Sequence, residues 1–186
     1  MNTYDFDKTI YVVDSSVTFY KYCLAKYPAA VLRTVPRTIG MAIAYVVGRT
    51  DTTRLKEQLF SFLRYIDADR AVADFWEEKF DGVGEWYLAQ KRDDDIIISA
   101  SPEFLLEPVA KRLGVRLIGT RMDKKTGRIT GLNCHDSEKV RRFYEQYPDA
   151  HTECFYSDSL SDTPMAEIAD RAFLVNRGRL SPWKTK

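Results

Sequence analysis

Several features that would settle a protein's class at once are scarce in this 186-residue chain. Cysteine is one: Cys23, Cys134 and Cys154 are odd in number and widely spaced. That excludes a disulfide framework and suits a reducing, cytoplasmic setting. Charge of one sign is another, since 28 basic residues face 27 acidic ones for a formal +1. No long-range positive field therefore singles out nucleic acid as a partner. Long hydrophobic runs are also missing. The most apolar stretch, 38–48, falls well short of the roughly 20 residues that cross a bilayer. The start, Met1 to Asp5, lacks the basic-then-apolar order of a secretory signal. No repeat and no Pro-, Gly- or Ser-rich linker divides the chain. What is present is a 45% hydrophobic, 13% aromatic composition, enough for one globular domain carrying a modest insertion.

The patterning changes twice along the chain. Thr3 to Phe6 reads as a short strand ending in acidic residues. From Asp14 to about Lys91 the spacing is helical. Ser15 or Ser16 can cap a helix with Val17, Tyr20, Leu24 and Tyr27 on one face. Pro28 and Pro36 break or kink the next stretch of chain. Leu55, Leu59, Phe62, Leu63 and Ile66 predict a single helix from Thr52, and 70–80 and 85–91 add two more. After Asp93-Asp94-Asp95, read as a solvated turn, Ile96-Ile97-Ile98 has the continuous apolar texture of a strand covered on both faces. Next come a helix opening at Ser101-Pro102-Glu103, a strand over 115–118 and a turn over 124–128. A helix over 137–147, a strand over 154–156, a helix over 164–169 and a strand over 172–175 complete the chain. Strand–helix alternation predicts an α/β fold with a three-layer, parallel, Rossmann-like sheet. Residues 1–13 and 92–186 would form the core domain, with 14–91 inserted as a helical unit after the first strand.

Open α/β sheets bind ligands at the carboxyl ends of their strands. Three predicted strands end in polar clusters: Asp5-Phe6-Asp7-Lys8-Thr9, Ser99-Ala100-Ser101, and Ser157-Asp158-Ser159-Leu160-Ser161-Asp162. Lys139 opens the helix between the last two. Singly, each cluster is an ordinary turn or helix cap. Together, several carboxylates at one sheet edge repel unless a cation lies among them. Hard oxygen donors, few in number, suit Mg²⁺. A hydroxyl, a lysine and backbone N–H groups beside it suit a phosphate dianion. The residue types thus point to phosphoryl transfer.

In order and spacing, Asp5-x-Asp7-x-Thr9, Ser99, Lys139 and Asp158-x-x-x-Asp162 resemble the four motifs of the haloacid dehalogenase (HAD) superfamily. The chain is similar to its phosphoserine-phosphatase-like branch, subfamily IB, with 14–91 standing where that branch inserts a helical C1-type cap. The resemblance implies a Mg²⁺-dependent phosphatase acting on a small phosphorylated substrate. Asp5 would be the nucleophile that forms an aspartyl-phosphate, and Asp7 the general acid and then base. Asp5, the Asp7 carbonyl and Asp158 would ligate the metal, with Asp162 in that shell or holding Lys139. Phe6, Thr9, Ser99, Ala100 and Lys139 would bind the phosphoryl group. Asp14 falls where phosphoserine phosphatases carry a glutamate that reads the substrate amino group.

Two other readings stand beside this one. Tyr156-Ser157-Asp158-Ser159, Asp162-x-Pro164 and Asn176-x-Gly178 resemble C-type bacterial phosphatidylglycerophosphatases, which implies a lipid-phosphate substrate. Peripheral membrane contact through 28–49 would then place Arg33, Arg37 and Arg49 near headgroups. The simpler expectation is that 28–49 is the core of the helical unit. The second reading is a non-catalytic protein that binds a phospho-ligand. Its signature would be a replaced Asp5 or Asp7, and both are aspartates. Two Cys and two His, Cys134-His135 and His151-x-x-Cys154, are also the ligand types of a zinc site, with buried thiols and surface imidazoles the plainer reading. Trp76, Phe80, Trp86 and Tyr87 could line a pocket or simply fill a core.

Overall fold

A computed structural model describes residues 1–184. Six strands form one sheet: β1 (Asn2–Tyr4), β2 (Ile96–Pro102), β3 (Arg116–Thr120), β4 (Thr152–Ser157), β5 (Ala169–Asn176) and β6 (Arg179–Pro182), in the order β3-β2-β1-β4-β5-β6. All neighbouring pairs are parallel except β5 and β6, which are antiparallel. The fold is therefore α/β, as the alternation predicts. The sequence pattern does not predict β6. It is a four-residue edge whose side chains are all exposed, so no burial pattern announces it.

The Ile96–Ile98 run is buried on both faces, and its alternation shows why. Ile97 joins one apolar cluster with Leu105, Leu106 and Val109 of α7 (Glu103–Leu113). Ile96 and Ile98 join the other, with Phe143 of α8 (Ser137–Gln146) and Met165 of α9 (Thr163–Glu167). The sheet is thus the middle of three layers. β1 is the central strand, paired with β2 through Thr3–Ile96 and with β4 through Thr3–Phe155. Its carboxyl end is the middle of one sheet edge.

Between β1 and β2 lie α1 (Ser15–Lys26), α2 (Pro28–Leu32), α3 (Val35–Val46), α4 (Thr52–Leu59), α5 (Ala68–Lys79) and α6 (Glu85–Leu88). Asp14, Asp51 and Asp67 cap α1, α4 and α5, each accepting an N–H three residues on. The predicted face of α1 holds only in part, with Tyr20 and Tyr27 packed against the core. Phe19, Tyr22 and Cys23 face inward while Val17 and Leu24 are exposed, because the aromatic cluster around Phe60, Phe62 and Phe75 receives Phe19. The helix from Thr52 also stops early, at Leu59. A tight 3₁₀ turn over Ser61–Tyr65 then delivers Phe62 and Leu63 to the core.

Segment 28–49 departs furthest from expectation. Ala30 and Val31 are buried, but no residue of α3 is. Ile39, Ile43, Val46 and Val47 are 55%, 60%, 82% and 58% exposed. α3 is therefore not the core of the helical unit. Asp95, expected in a solvated turn, is in fact buried, with one oxygen accepting the Arg92 N–H. Among the described residues, no helix is long and apolar enough to cross a membrane.

Candidate active site

The central strand decides where the chemistry sits. β1 ends at Tyr4, and the Asp5 N–H donates to the Tyr156 carbonyl, so the loop leaves the sheet beside the end of β4. Asp5 is buried. Its Oδ1 accepts from Lys139 Nζ at 2.6 Å, and the same ammonium donates to Asp162 Oδ2 at 2.7 Å. Asp162 Oδ2 also accepts from Ser157 Oγ at 2.7 Å. Lys139, in the first turn of α8, is thus a buried bridge between β1 and the loop after β4. Burial opposes its charge, yet the two carboxylates outweigh it and hold the ammonium above its usual range. Burial pushes Asp5 upward, Lys139 pulls it down, and Asp162 and Asp7 push it up again, for a net rise. The site carries more carboxylate than Lys139 neutralises.

Asp7 lies two residues on, with both oxygens engaged. Oδ1 accepts the Ser15 N–H at 2.7 Å, in the first turn of α1, and Oδ2 accepts from Ser101 Oγ at 2.6 Å. Burial and then the neighbouring Asp14 raise its pKa to about 6, against the opposing hydrogen bonds. A carboxyl that ionises near neutrality can both give and take a proton.

β2 loses register with β3 between Ile98 and Pro102, which frees 99–101 to turn toward the site. Ser99 Oγ is buried and accepts the Ser101 N–H at 3.1 Å. The Ala100 carbonyl accepts from Thr120 Oγ1 and from Lys56 Nζ. Phe6 is fully buried, stacked on Tyr11 and edge-on to Trp76. Thr9 Oγ1 accepts the Asp158 N–H at 2.9 Å, so this hydroxyl ties the first loop to the loop after β4. Asp14 Oδ1 accepts the Val17 N–H at 2.8 Å, and the side chain serves as the N-cap of α1.

Asp158 is half-buried, and burial raises its carboxyl, with Lys8 opposing and Asp162 adding to the rise. Beside it opens a cleft of ≈ 1150 Å³, walled by Lys8, Thr9, Val12, Trp86 and Arg177. Trp86 is thus a pocket residue, whereas Trp76 and Tyr87 are core. Among the described residues no three His, Cys, Asp or Glu side chains gather as a metal cage, zinc included. The donor set does fit a hydrated hard cation. Asp5 and Asp158 stand at the ends of adjacent strands, both disfavoured as charges by burial, and a divalent ion with few protein ligands would relieve them.

Sequence reasoning misses the roles of Ser101, Lys56, Thr120 and the Ser15 N–H. Ser101 carried a usable signal, since residues 99 and 101 share one face of a strand. Lys56 carried none, because it arrives from a helix of the insertion.

The model of the haloacid dehalogenase-like hydrolases matches residues 3–167. The CicA protein of Caulobacter vibrioides is 32% identical over 195 residues, covering 95% of this chain and 86% of its own. Among solved structures, a protein of unknown function from Bordetella pertussis has a TM-score of 0.75 at 20% identity, over 92% of this chain and 87% of its own. A substrate-bound phosphoserine phosphatase has a TM-score of 0.56 at 12% identity, over 91% and 82%. The chain belongs to the haloacid dehalogenase-like hydrolases.

Proposed function

We propose that the chain is a Mg²⁺-dependent phosphatase that hydrolyses a phosphomonoester through an aspartyl-phosphate on Asp5. The observation that carries the reading is the Asp5–Lys139–Asp162 bridge, with Asp7 and Ser99 at the same sheet edge. Lys139 holds Oδ1 of Asp5, leaving Oδ2 to attack phosphorus in line with the leaving oxygen. The P–O bond to the substrate breaks as the Asp5 O–P bond forms. Asp7 gives its proton to the departing alkoxide, then takes one from the water that hydrolyses the acyl phosphate. Ser99 Oγ, the Lys139 ammonium and backbone N–H groups after Asp5 and Ser99 hold the phosphoryl oxygens. Mg²⁺ on Asp5, the Asp7 carbonyl and Asp158 would neutralise phosphate charge. The family of fold neighbours that includes phosphoserine phosphatase supports the same assignment.

In this reading 14–91 acts as a cap over the core of 1–13 and 92–186, and excludes water during leaving-group departure. Asp14 caps α1 through Oδ1 and also lines the cleft beside Asp158, in keeping with a place at the substrate's amino group. A cytoplasmic location is in keeping with the three buried, unpaired cysteines.

A second reading of the substrate rests on α3. Between Lys26 and Asp51 the sequence has no acidic residue and three arginines, and α3 exposes its apolar side chains. Such a helix suits the surface of an anionic bilayer and a lipid-phosphate substrate.

Phosphate release with Mg²⁺ tests both, over phosphoserine, small sugar and alcohol phosphates, and phosphatidylglycerophosphate in micelles. Soluble substrates turning over with the lipid inert would support a small-molecule phosphatase. Preference for the lipid would make α3 a membrane-facing entrance. No release from any of them, with Mg²⁺ and phosphate bound, would instead mean a binding protein.

A further inference from the structure

The insertion sends one charged side chain into the phosphate-binding loops. Lys56 Nζ, from the middle of α4, donates to the Ala100 carbonyl at 2.8 Å and to Asn133 Oδ1 at 2.7 Å. Thr120 Oγ1, at the end of β3, contacts the same two oxygens at 2.6 and 3.0 Å, and accepts the Cys134 N–H at 3.0 Å. The end of β2 and the loop before α8 thus meet on one cap ammonium, and Thr120 of β3 joins the same two oxygens. Neither partner of the ammonium is a carboxylate, so the pair is no ordinary surface salt bridge. The Ala100 carbonyl belongs to the peptide whose N–H, on Ser101, donates to Ser99 Oγ. Ser101 in turn donates its hydroxyl to Asp7. One peptide plane therefore orients a phosphate-binding hydroxyl on one side and the partner of the acid–base carboxylate on the other.

We propose that Lys56 is a positioning residue that makes assembly of the phosphate-binding loop depend on the cap. By fixing the Ala100–Ser101 peptide through its carbonyl, the cap ammonium sets the direction of the N–H that Ser99 Oγ accepts, while Ser101 Oγ is held also by the Ser15 and Ser16 hydroxyls of α1. Withdrawing it would leave the carbonyl with Thr120 alone and let the end of β2 after Ser99 rotate. Group placement to within about an ångström is worth up to about 100-fold in rate. The proposal rests on the phosphatase reading for its kinetic consequence but not for its structural one.

The test compares wild type with Lys56→Met, which keeps the length and apolar stem of the side chain, and Lys56→Arg, which keeps the charge and donors. Binding of inorganic phosphate in Mg²⁺ is measured by calorimetry, and kcat and KM are measured on phosphoserine and on a neutral alkyl phosphate. The expected result for K56M is a phosphate Kd raised about tenfold and a kcat lowered roughly 10- to 100-fold on both substrates alike, with K56R recovering most of both. Thr120→Val, which removes the other donor to the same carbonyl, gives the same pattern. It keeps the test open if K56M fails to fold. Phosphate affinity and kcat unchanged in folded K56M would overturn the proposal. So would a KM increase confined to phosphoserine, because Lys56 would then be reading the substrate's carboxylate. If wild type hydrolyses nothing, the phosphatase reading fails, and the phosphate Kd of K56M still decides the role of Lys56.

Discussion

α3 and α5 are both twelve residues long and belong to the same insertion, yet they have opposite fates. α5 is polar along much of its length and buries Ala68, Ala71, Val72, Phe75 and Trp76. α3 is far more apolar, yet none of its residues is fully buried and Val35 alone is packed in part against the core cluster. The difference lies in what each can touch. Phe75 meets Phe19, Tyr22 and Trp76 at centroid distances of 5.3, 5.5 and 4.9 Å, and Trp76 donates its indole N–H to the Leu105 carbonyl. α5 thereby joins the insertion to α7. α3 packs mainly on α4, reaching it through Thr38 and Gln58. Apolar content shows what a helix could bury, and its neighbours determine what it does bury.

The largest expected effect comes from breaking the buried partner. Phe75→Ala should cost about 3–5 kcal/mol of unfolding free energy in a urea titration. A loss under about 1 kcal/mol would mean that α5 is not the anchor of the insertion.

Burial of a charge at the insertion's contact with the sheet gives the next effect. Asp7 ionises near 6 in the folded protein, against the ordinary carboxylate value of 3.8. Folding therefore favours its protonated form. The resulting cost is absent below about pH 4 and complete above about pH 6. In metal-free protein Asp7→Asn should gain stability relative to wild type across that window, by about 1–2 kcal/mol. A difference that stays constant with pH would contradict the burial argument.

Removal of the α5 cap is a smaller perturbation. Asp67→Ala leaves the Arg70 N–H without its acceptor and should cost about 1 kcal/mol, seen as a lower denaturation midpoint with an unchanged m-value. The smallest effect on folding belongs to α3. Replacing Ile39, Ile43 and Val46 by Ser should change stability by only a few tenths of a kcal/mol each, because little apolar contact is lost. Sedimentation with phosphatidylglycerol vesicles then separates the two roles open to α3. Lost binding with intact stability supports a membrane-facing helix, and a large stability loss would show that α3 is packed after all.

Much of the sheet and of the polar cluster at its edge is legible in the residues. β2 announces itself by three isoleucines covered on both faces. The site announces itself because polar residues end three predicted strands, and an open α/β sheet has only one edge where they can meet. The rest depends on partners that lie far off in the chain. Phe19 rather than Val17 faces inward because Phe60, Phe62 and Phe75 are there to receive it. Lys56 is an ordinary helical lysine until α4 is laid against Ala100 and Asn133. Thr9 and Asp14 have the right chemistry for a ligand. In the structure Thr9 accepts from the Asp158 N–H and Asp14 from the Val17 N–H.

The central claim is that Asp5 carries the phosphoryl group during turnover. Its most direct measurement is borohydride reduction of protein quenched during turnover with Mg²⁺ and substrate, followed by peptide mass spectrometry. An acyl phosphate on Asp5 is reduced to homoserine, so the predicted result is that conversion at position 5 in wild type and its absence in Asp5→Asn, which also stops phosphate release. Phosphate release that continues in Asp5→Asn, or turnover with no modification at position 5, would contradict the account.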